Sequence, residues 1–395
     1  MKLRLAALAA ALTFCLSAPG LANGGPGPEA AAHSAVAPAA QACAPYFPLR
    51  DGWLGGDAAY SVALPGGQTL WLFGDTFIGE PGAATRRDAD LIANSVALSA
   101  CRAGEWSIRY HWRNGEAPAA VFTPPDATST THEVRYWPMD GFVRGDTLYV
   151  FLSRVRMTER GGPLGFAIEG VDLARIENPG RPPAQWKISY SPVLRGEPAL
   201  PGAAVLPRQD HVLLYTPLTG KERKERPVAL ARLPWAGLHA PAEHLQFLAR
   251  DGAWREGFAA DEAQHIMDRG ATELSVQETE DGAFVAVLNE SVFPAERIVL
   301  RTAPAPEGPW TEELAVTEIG ERAGADEARR ARVFCYAAKA WEPATRGTSL
   351  MLTYVCNSMD AELLLNDLGL YRPRVKRVTL PGGILKRSSH KVSTG

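Results

Sequence analysis

Apolar stretches that end at a tryptophan recur along the chain and indicate a repeated structural unit. In each case an apolar run leads through a short polar turn to Trp, at 94–106, 171–186, 245–254 and 297–310. A tighter hairpin, rich in β-branched and aromatic residues, precedes each of these segments. Alternation of this kind, repeated along a chain, predicts stacked β-units rather than one irregular sheet.

The tighter hairpins set the number of units. Five are predicted, with Gly, Asp, Gln or Pro at their turns, at 58–73, 141–152, 203–215, 273–288 and 334–355. Each interval between turns holds one inner hairpin and one outer pair, which makes four strands a unit. We therefore predict an all-β fold, a five-bladed β-propeller of four-stranded antiparallel blades. A β-sandwich, or two of them, is the alternative, but sandwiches do not require five similar units.

The two ends of the chain differ from its middle. Residues 1–22 combine a positive start, a short apolar stretch and small residues, which is typical of a secretory signal peptide. Residues 23–42 are rich in Ala, Gly and Pro and predict a disordered linker. The propeller is expected over 43–379 and a flexible tail over 380–395. We expect a secreted or periplasmic protein without a membrane span, because the apolar stretch is too short to cross a bilayer.

Charge and cysteine content narrow the class of protein. A net charge of -3 over 395 residues gives no basic surface of the kind that binds nucleic acid. Four cysteines remain beyond the leader, and an even number in an oxidising compartment predicts two disulfides. Three pairings are possible. We favour Cys43 with Cys101, and Cys335 with Cys356, because the latter two lie at comparable distances on either side of one loop. A metal site is a weaker alternative, since no ligand spacing is recognisable.

Two aspartates in the first hairpin stand at equal distances from the turn at Gly66. Asp57 and Asp75 should therefore face each other across the strand pair, at the end of the hairpin that opens into a central channel. Like charges in this position are unfavourable unless one is neutralised, binds a cation or serves catalysis. For Asp75, capping of a turn is an equally good interpretation.

Acidic residues begin two further inner strands. Asp140 precedes the second inner strand, and Glu273 begins the fourth, symmetric with Glu290 about the turn. We therefore expect Asp57, Asp140 and Glu273 to converge on one axial pocket from three blades. Glu290 fits a solvated loop residue better than a site residue.

Aromatic residues and one lysine are close in sequence to these acids. Pocket walls are predicted from Trp53, Tyr60, His132, Trp137 and Trp341. Aromatic faces combined with carboxyl groups suit a sugar ring, although each aromatic taken singly fits core packing better. Lys339 could enter from the fifth blade and hold a carboxylate or a substrate hydroxyl, or lie on the surface of a loop.

Several segments resemble a known group of proteins. Gly-Gly-Asp-Ala-Ala-Tyr-Ser at 55–61, followed by Leu-Trp-Leu-Phe-Gly-Asp-Thr-Phe at 70–77, resembles the opening of secreted five-bladed propellers first grouped as domains of unknown function. Gly-Pro-Trp at 308–310 is similar to the arabinanase and β-xylosidase superfamily. The segments at 336–343 and 352–357 resemble the last blade of that superfamily.

The resemblance implies an activity and a set of roles. Some members of the unknown-function group are endo-D-arabinofuranosidases, and the wider superfamily cleaves furanosides and pyranosides, with a lean towards inversion. It implies Asp57 as the base, Glu273 as the acid and Asp140 as an orienting carboxylate. One departure stands out: the last blade has Lys339 and Trp341 ahead of Glu-Pro, where a histidine is expected.

Three functions follow as hypotheses. The first is a secreted, monomeric glycoside hydrolase that acts on a polysaccharide or oligosaccharide, possesses no cofactor and has room for an axial calcium or sodium ion. The second is a non-catalytic propeller that binds carbohydrate or protein, since the fold alone does not imply an enzyme. A lyase or phosphodiesterase using the same pocket ranks third, because no metal-ligand spacing stands out.

Overall fold

Five antiparallel sheets arranged in a ring form the protein, which confirms the five-bladed β-propeller. The structure is a computed structural model that describes residues 43–126, 134–158, 165–220, 225–320, 326–341 and 349–380. The predicted leader and linker, and nearly all of the predicted tail, lie outside these ranges.

The strands follow the chain blade by blade, and each blade begins with its innermost strand. Blade 1 contains β1 (Trp53–Leu64), β2 (Gln68–Ile78), β3 (Asp90–Ile92), β4 (Ser95–Arg102) and β5 (Glu105–His111). Blade 2 contains β6 (Val134–Arg144), β7 (Thr147–Met157), β8 (Phe166–Ile176) and β9 (Ile188–Arg195). Blade 3 contains β10 (Ala204–Pro207), β11 (His211–Pro217), β12 (Val228–Pro234), β13 (Gln246–Leu248), β14 (Trp254–Glu256) and β15 (His265–Met267). Blade 4 contains β16 (Leu274–Glu278), β17 (Phe284–Asn289), β18 (Arg297–Ala303) and β19 (Leu314–Glu318).

Blade 5 completes the ring. Its described strands are β20 (Val333–Ala340), β21 (Ser349–Ser358) and β22 (Arg374–Thr379). The described helical segments are short: α1 (Pro241–His244), α2 (Glu327–Arg330), α3 (Ala361–Asn366) and two 3-10 turns, Pro183–Gln185 and Trp235–His239. None of the helices in the described ranges is long and apolar enough to cross a bilayer.

The recurrent tryptophans belong to the outer parts of the blades, as the pattern predicts. Trp106 and Trp254 lie in paired outer strands. Trp186 and Trp310 lie in connections between outer strands, where each indole N–H donates to a carbonyl of its own connection, 2.9 Å from Arg181 O and 3.3 Å from Pro306 O. The tryptophan therefore closes the outer pair in two different ways.

Apolar side chains fill the spaces between neighbouring blades. Val287 of blade 4 belongs to the same buried cluster as Leu352 of blade 5. Between blades 5 and 1, the rings of Trp341 and Trp71 lie 6.1 Å apart. The core is thus distributed around the ring, and the central channel is left to the first strand of each blade.

Both predicted disulfides are present. One joins Cys43 to Cys101 at the end of β4, and the other joins Cys335 to Cys356, which face each other across β20 and β21. Two disulfides fit an oxidising compartment.

A buried arginine connects blade 1 to the C-terminal part of the chain. Arg86 lies in the connection between β2 and β3 and has no exposed surface. Its guanidinium donates to the carbonyl of Leu54 at 2.8 Å. The remaining acceptors belong to α3 and to the segment between α3 and β22, and they are the carbonyls of Leu364, Asp367, Leu368 and Leu370. Burial lowers the pKa of Arg86 to about 10, so the group remains cationic at neutral pH.

Candidate active site

A bulge in β1 positions Asp57. The pairing of β1 with β2 passes from Gly56 opposite Thr76 to Ala58 opposite Phe73, so Asp57 lies opposite two residues of β2, Gly74 and Asp75. Ala58 and the next residue both adopt the left-handed conformation, with φ of 65° and 57°. A Cβ at Gly74 would stand 2.4 Å from Asp57 Oδ1. The carboxyl group therefore needs the glycine beneath it.

Two tyrosines hold the other oxygen of Asp57. The hydroxyl of Tyr336 in β20 donates to Oδ2 at 2.8 Å, and that of Tyr371, just before β22, donates at 3.2 Å. Burial raises the pKa of Asp57 to about 8, with further increments from Asp75 and Glu273 that outweigh the two hydrogen bonds. At neutral pH this carboxyl group therefore carries a proton.

Asp75 has its own partners from blade 2. Trp137 donates its indole N–H to Oδ1 at 2.9 Å, and the Arg135 guanidinium lies 3.7 Å from the same oxygen. Burial raises the pKa of Asp75 to about 6 in spite of both contacts. The two aspartates do meet at the open end of the first hairpin. Protonation of Asp57 relieves the repulsion that their proximity would create.

Lys339 brings a buried positive charge to the same place. Its ammonium lies 3.1 Å from Glu273 Oε1 and 4.1 Å from the ring centroid of Tyr60. A bulge in β20 accompanies this position, because the register shifts after Tyr336 and Ala337 has φ of 61°. The side chain is only 3% exposed. Burial lowers the pKa of Lys339, and the nearby carboxyls of Glu273, Asp57 and Asp140 oppose that shift.

Asp140 links two neighbouring blades. It lies in a bulge of β6, where Oδ1 accepts from the N–H of Gly141 at 2.8 Å and Oδ2 accepts from the N–H of Val205 in β10 at 2.9 Å. These two bonds fix the orientation of the carboxylate. Its charge acts to raise the pKa of Lys339, so Asp140 belongs to the same electrostatic cluster.

A cavity of about 180 Å³ follows the axis and is lined by the innermost strand of every blade. Tyr60, Asp140 and Lys339 belong to its lining, and the polar side chains that join them are Ser61, Ser275 and Gln277. The buried hydroxyl of Tyr60 has no hydrogen-bond partner in the described part of the chain. The channel is therefore polar at the level of the charged cluster.

The sequence-predicted wall residues divide into two groups. Tyr60 and Trp137 contact the charged cluster, as described above. Trp53 and Trp341 lie instead in the aromatic core between blades 1 and 5, where the Trp53 ring stacks on Tyr110 at 4.1 Å. Their bulk is accommodated between the blades, away from the axis. His132 lies outside the described residues.

The fourth hairpin has a register that differs from the predicted symmetry by one residue. Leu274 pairs with Leu288, so continuation of the register sets Glu273 beside Asn289, not Glu290. Glu290 is buried and accepts from the N–H groups of Glu296 and Arg297. It stabilises its own loop, as a loop residue would, but the prediction that it is solvated was wrong, because its carboxyl group is buried against these backbone donors.

Sequence reasoning missed the two tyrosines that contact Asp57. Tyr336 stands three residues before Lys339, so its position in the same inner strand was a usable signal. The sequence holds no such signal for Tyr371, which lies in the irregular segment between α3 and β22. Arg86 donates to the neighbouring Leu370 carbonyl, and Gly55 lies against the Tyr371 carbonyl, and these contacts bring Tyr371 to the site.

No group of three or more His, Cys, Asp or Glu side chains within the described ranges is arranged to hold a metal ion. The axial calcium or sodium ion stays a prediction. The positive charge that the structure does place on the axis is the Lys339 ammonium.

Solved structures with the same fold include several carbohydrate-active proteins. A protein of Bacteroides ovatus, provisionally assigned as a hydrolase, is 16% identical, with a TM-score of 0.66 over 83% of this chain and 86% of that one. An endo-arabinase of Bacteroides thetaiotaomicron is 11% identical, with a TM-score of 0.44 over 85% and 99%. An exo-1,5-α-L-arabinanase from a bovine ruminal metagenomic library is 11% identical, with a TM-score of 0.42 over 82% and 93%.

These likenesses concern the fold. No curated protein matches the chain significantly. The family described as "Domain of unknown function (DUF5005)" matches residues 41–380, which is most of the chain and the whole propeller, and the protein therefore belongs to that family.

Proposed function

We propose that this protein is a glycoside hydrolase that cleaves a polysaccharide at the mouth of the propeller's central channel. The observation that carries the proposal is a pair of carboxyl groups in opposite electrostatic settings. Glu273 contacts the ammonium of Lys339, whereas burial holds the pKa of Asp57 at about 8. Hydrolysis of a glycosidic bond requires one carboxyl group that holds a proton and a second that is ionised.

In the proposed mechanism Asp57 is the proton donor. Both tyrosine hydroxyls donate to Oδ2, so the acidic proton resides on Oδ1, which accepts no hydrogen bond from the described residues. Asp57 transfers this proton to the leaving oxygen of the glycosidic bond. Tyr336 and Tyr371 then stabilise the carboxylate that forms, because they already point at it.

Glu273 acts as the carboxylate in this scheme. It activates a water molecule or attacks the anomeric carbon, and the contact with the Lys339 ammonium orients it. This allocation reverses the one that the family resemblance implies, in which Asp57 is the base and Glu273 the acid. The electrostatic settings of the two groups support the reversal, and the pH dependence of the reaction distinguishes the two schemes.

An arabinofuranoside-containing glycan is the substrate class that the motifs at 55–61 and 70–77 favour, through their resemblance to endo-D-arabinofuranosidases. The signal-peptide pattern of residues 1–22 and the two disulfides support action outside the cytoplasm. Such a location gives access to cell-wall or environmental polysaccharides.

The test is a panel of D-arabinan, L-arabinan, arabinogalactan and xylan, with released sugars separated by chromatography. We expect cleavage of at least one arabinan, and a loss of about 100-fold or more in kcat for Asp57→Asn and for Glu273→Gln. Glu278→Gln is the matched control, because Glu278 lies at the far end of β16, the strand that Glu273 directly precedes, and forms an exposed ion pair. Full activity of both site variants would remove these residues from the mechanism.

One observation favours a non-catalytic, carbohydrate-binding propeller as the second candidate. The charged groups of the cluster already have partners within the protein, with Glu273 on Lys339 and Asp75 on Trp137. A fully paired network also suits a rigid binding surface. Saturable binding to a glycan of the panel, with no product after prolonged incubation, would favour this candidate.

A further inference from the structure

Three aromatic rings form a row that leads from the surface to Asp57. The outermost ring is Phe293, in the connection between β17 and β18, whose side chain is 56% exposed. Its centroid lies 5.4 Å from that of Phe334 in β20. Phe334 in turn lies 5.7 Å from Tyr336, with the two rings nearly parallel at 23°. The hydroxyl of Tyr336 donates to Asp57, so the row ends at the carboxyl group itself.

The alternation of β20 explains the inner half of this row. Phe334 and Tyr336 are two residues apart, so they project from the same side of the strand. The residue between them, Cys335, faces the opposite side and joins the core between blades 4 and 5. Phe293 comes from blade 4, so the row crosses the boundary between two blades.

The outer half of the row is exposed in a way that packing does not explain. Phe334 is well packed and only 8% exposed, whereas Phe293 and its neighbour Val292 are 56% and 57% exposed. Large apolar side chains grouped at the surface beside a polar cleft are typical of ligand-binding surfaces. An aromatic face can pack against the C–H groups of a sugar ring, and sugar hydroxyls can remain in water.

We propose that Phe293, Phe334 and Tyr336 form a subsite that holds the glycan chain beyond the bond to be cleaved. The inference rests on the proposed function, because continuity of the row with Asp57 is what identifies a glycan as its occupant. A subsite that extends from the carboxyl pair to the open surface accommodates a polymer that continues past the site. The row therefore favours internal cleavage of a polysaccharide over removal of single terminal residues.

The experiment measures glycan binding separately from glycan cleavage. Affinity electrophoresis and calorimetry with D-arabinan, L-arabinan and xylan are performed on the wild-type protein and on Glu273→Gln, each with and without Phe293→Ala. We expect Phe293→Ala to weaken binding by about fivefold to tenfold in both backgrounds, the loss of one aromatic contact. Phe293→Trp should restore the affinity. Because Phe293 is largely exposed, neither substitution at this position should affect folding in either background, which melting temperatures verify.

Leu314→Ala is the matched control, because Leu314 is an exposed apolar residue, 41% accessible, on the outermost strand of the same blade. It should bind as the wild type does. Binding that Phe293→Ala leaves unchanged, an equal loss in Leu314→Ala, or no binding of any of the three glycans by the wild type would overturn the subsite. So would a change in oligomeric state on size exclusion with unaltered glycan binding, since that marks a protein interface. Weakened binding without any cleavage would support the subsite and count against the hydrolase.

Discussion

Asp57 illustrates how burial and hydrogen bonding act in opposite directions on one carboxyl group. Burial is the largest influence on its pKa, and the charges of Asp75 and Glu273 act in the same direction. The hydroxyls of Tyr336 and Tyr371 favour the ionised form, but they do not restore the ordinary value. A carboxyl group in this setting is a proton donor at neutral pH whose conjugate base already has two hydrogen-bond donors.

The raised pKa of Asp57 predicts how stability depends on pH. The folded state binds the proton more tightly, since the pKa rises from 3.8 to about 8 on folding. The stabilisation is therefore complete below about pH 4 and is lost as the pH increases through about 8. Asp57→Asn stays neutral throughout, so between pH 5 and pH 9 its free energy of unfolding should increase relative to wild type by on the order of 4 kcal/mol. Urea titrations at a series of pH values check this, and a difference independent of pH would contradict it.

Removal of Lys339 predicts a loss of activity. Lys339→Met leaves the partly buried Glu273 carboxyl group without the ammonium that contacts it. We therefore expect kcat to decrease by about tenfold or more, because the carboxyl group loses the contact that orients it. Lys376→Met is the control, because the Lys376 ammonium donates to a carbonyl of Glu318 at the surface. An unchanged kcat in Lys339→Met would show that the contact between Lys339 and Glu273 does not serve the reaction.

A site residue could be predicted from the sequence when its own inner strand sets its position, and could not be predicted when a distant segment brings it to the site. Asp57 and Asp140 lie within the inner strands β1 and β6, and Glu273 directly precedes β16, so strand order brings all three into one electrostatic cluster. Tyr371 could not be predicted, because a loop with no periodic pattern delivers it. Trp53 was predicted as a pocket wall because it is close in sequence to Asp57, but it lies in the aromatic core. Closeness in sequence to an acid does not decide which side of a strand a ring occupies.

At the scale of elements, bulges determine how the inner strands present their side chains. Pattern analysis predicts where β1 and β20 lie, but it does not predict their register shifts. The left-handed residues at those shifts are Ala58, Ala59 and Ala337, and alanine is not a residue that signals such a conformation. The same limit explains the one-residue difference at Glu273, where symmetry about a turn approximates the true pairing.

Substitution of Gly55 tests how strongly the packing of β1 depends on the segment that precedes β22. Its φ is +130°, and a Cβ there would lie 2.2 Å from the carbonyl oxygen of Tyr371 and 3.1 Å from the guanidinium of Arg86. Gly55→Ala should therefore displace Tyr371 from Asp57, lower the free energy of unfolding by about 2 kcal/mol or more, and reduce kcat. Thermal denaturation and kinetics on the cleaved glycan measure both effects.

Gly66→Ala is the control for Gly55→Ala. Gly66 also has a positive φ, +80°, but no atom lies within 4 Å of the position its Cβ would take. It should therefore lose only about 1 kcal/mol of stability and keep its activity. Equal effects from the two substitutions would show that backbone conformation matters and that contact with Tyr371 does not.

At the scale of the whole ring, the junction between blades 5 and 1 combines structural and functional roles. Arg86 binds the segment before β22, and that segment supplies Tyr371 to Asp57. The number of blades was predictable because five hairpins repeat. The way in which the first and last blades are joined was not, because it depends on a single arginine in a loop whose acceptors are backbone carbonyls from the other end of the chain.

Arg86→Met tests whether this junction sustains the site as well as the fold. The substitution removes the donor from five carbonyls, two of them buried and three partly buried, which should lower the free energy of unfolding by about 3 kcal/mol or more. Arg86→Lys should recover little, because an ammonium cannot reproduce the planar fork of donors. Arg87→Met is the neighbouring control; Arg87 forms an exposed ion pair with Glu362, so its loss should leave the free energy of unfolding nearly unchanged.

Arg86→Met and Arg87→Met should also differ in kcat and in the pH profile of the reaction when both are assayed below their melting temperatures. Loosening of Tyr371 removes a hydrogen bond that lowers the pKa of Asp57, so in Arg86→Met the basic limb of the pH profile should move to higher pH while kcat decreases. Arg87→Met should keep the wild-type profile. Arg86→Met with reduced stability and an unaltered profile would mean that the junction maintains the ring alone, and that the hydrogen bond from Tyr371 does not influence the pKa of Asp57.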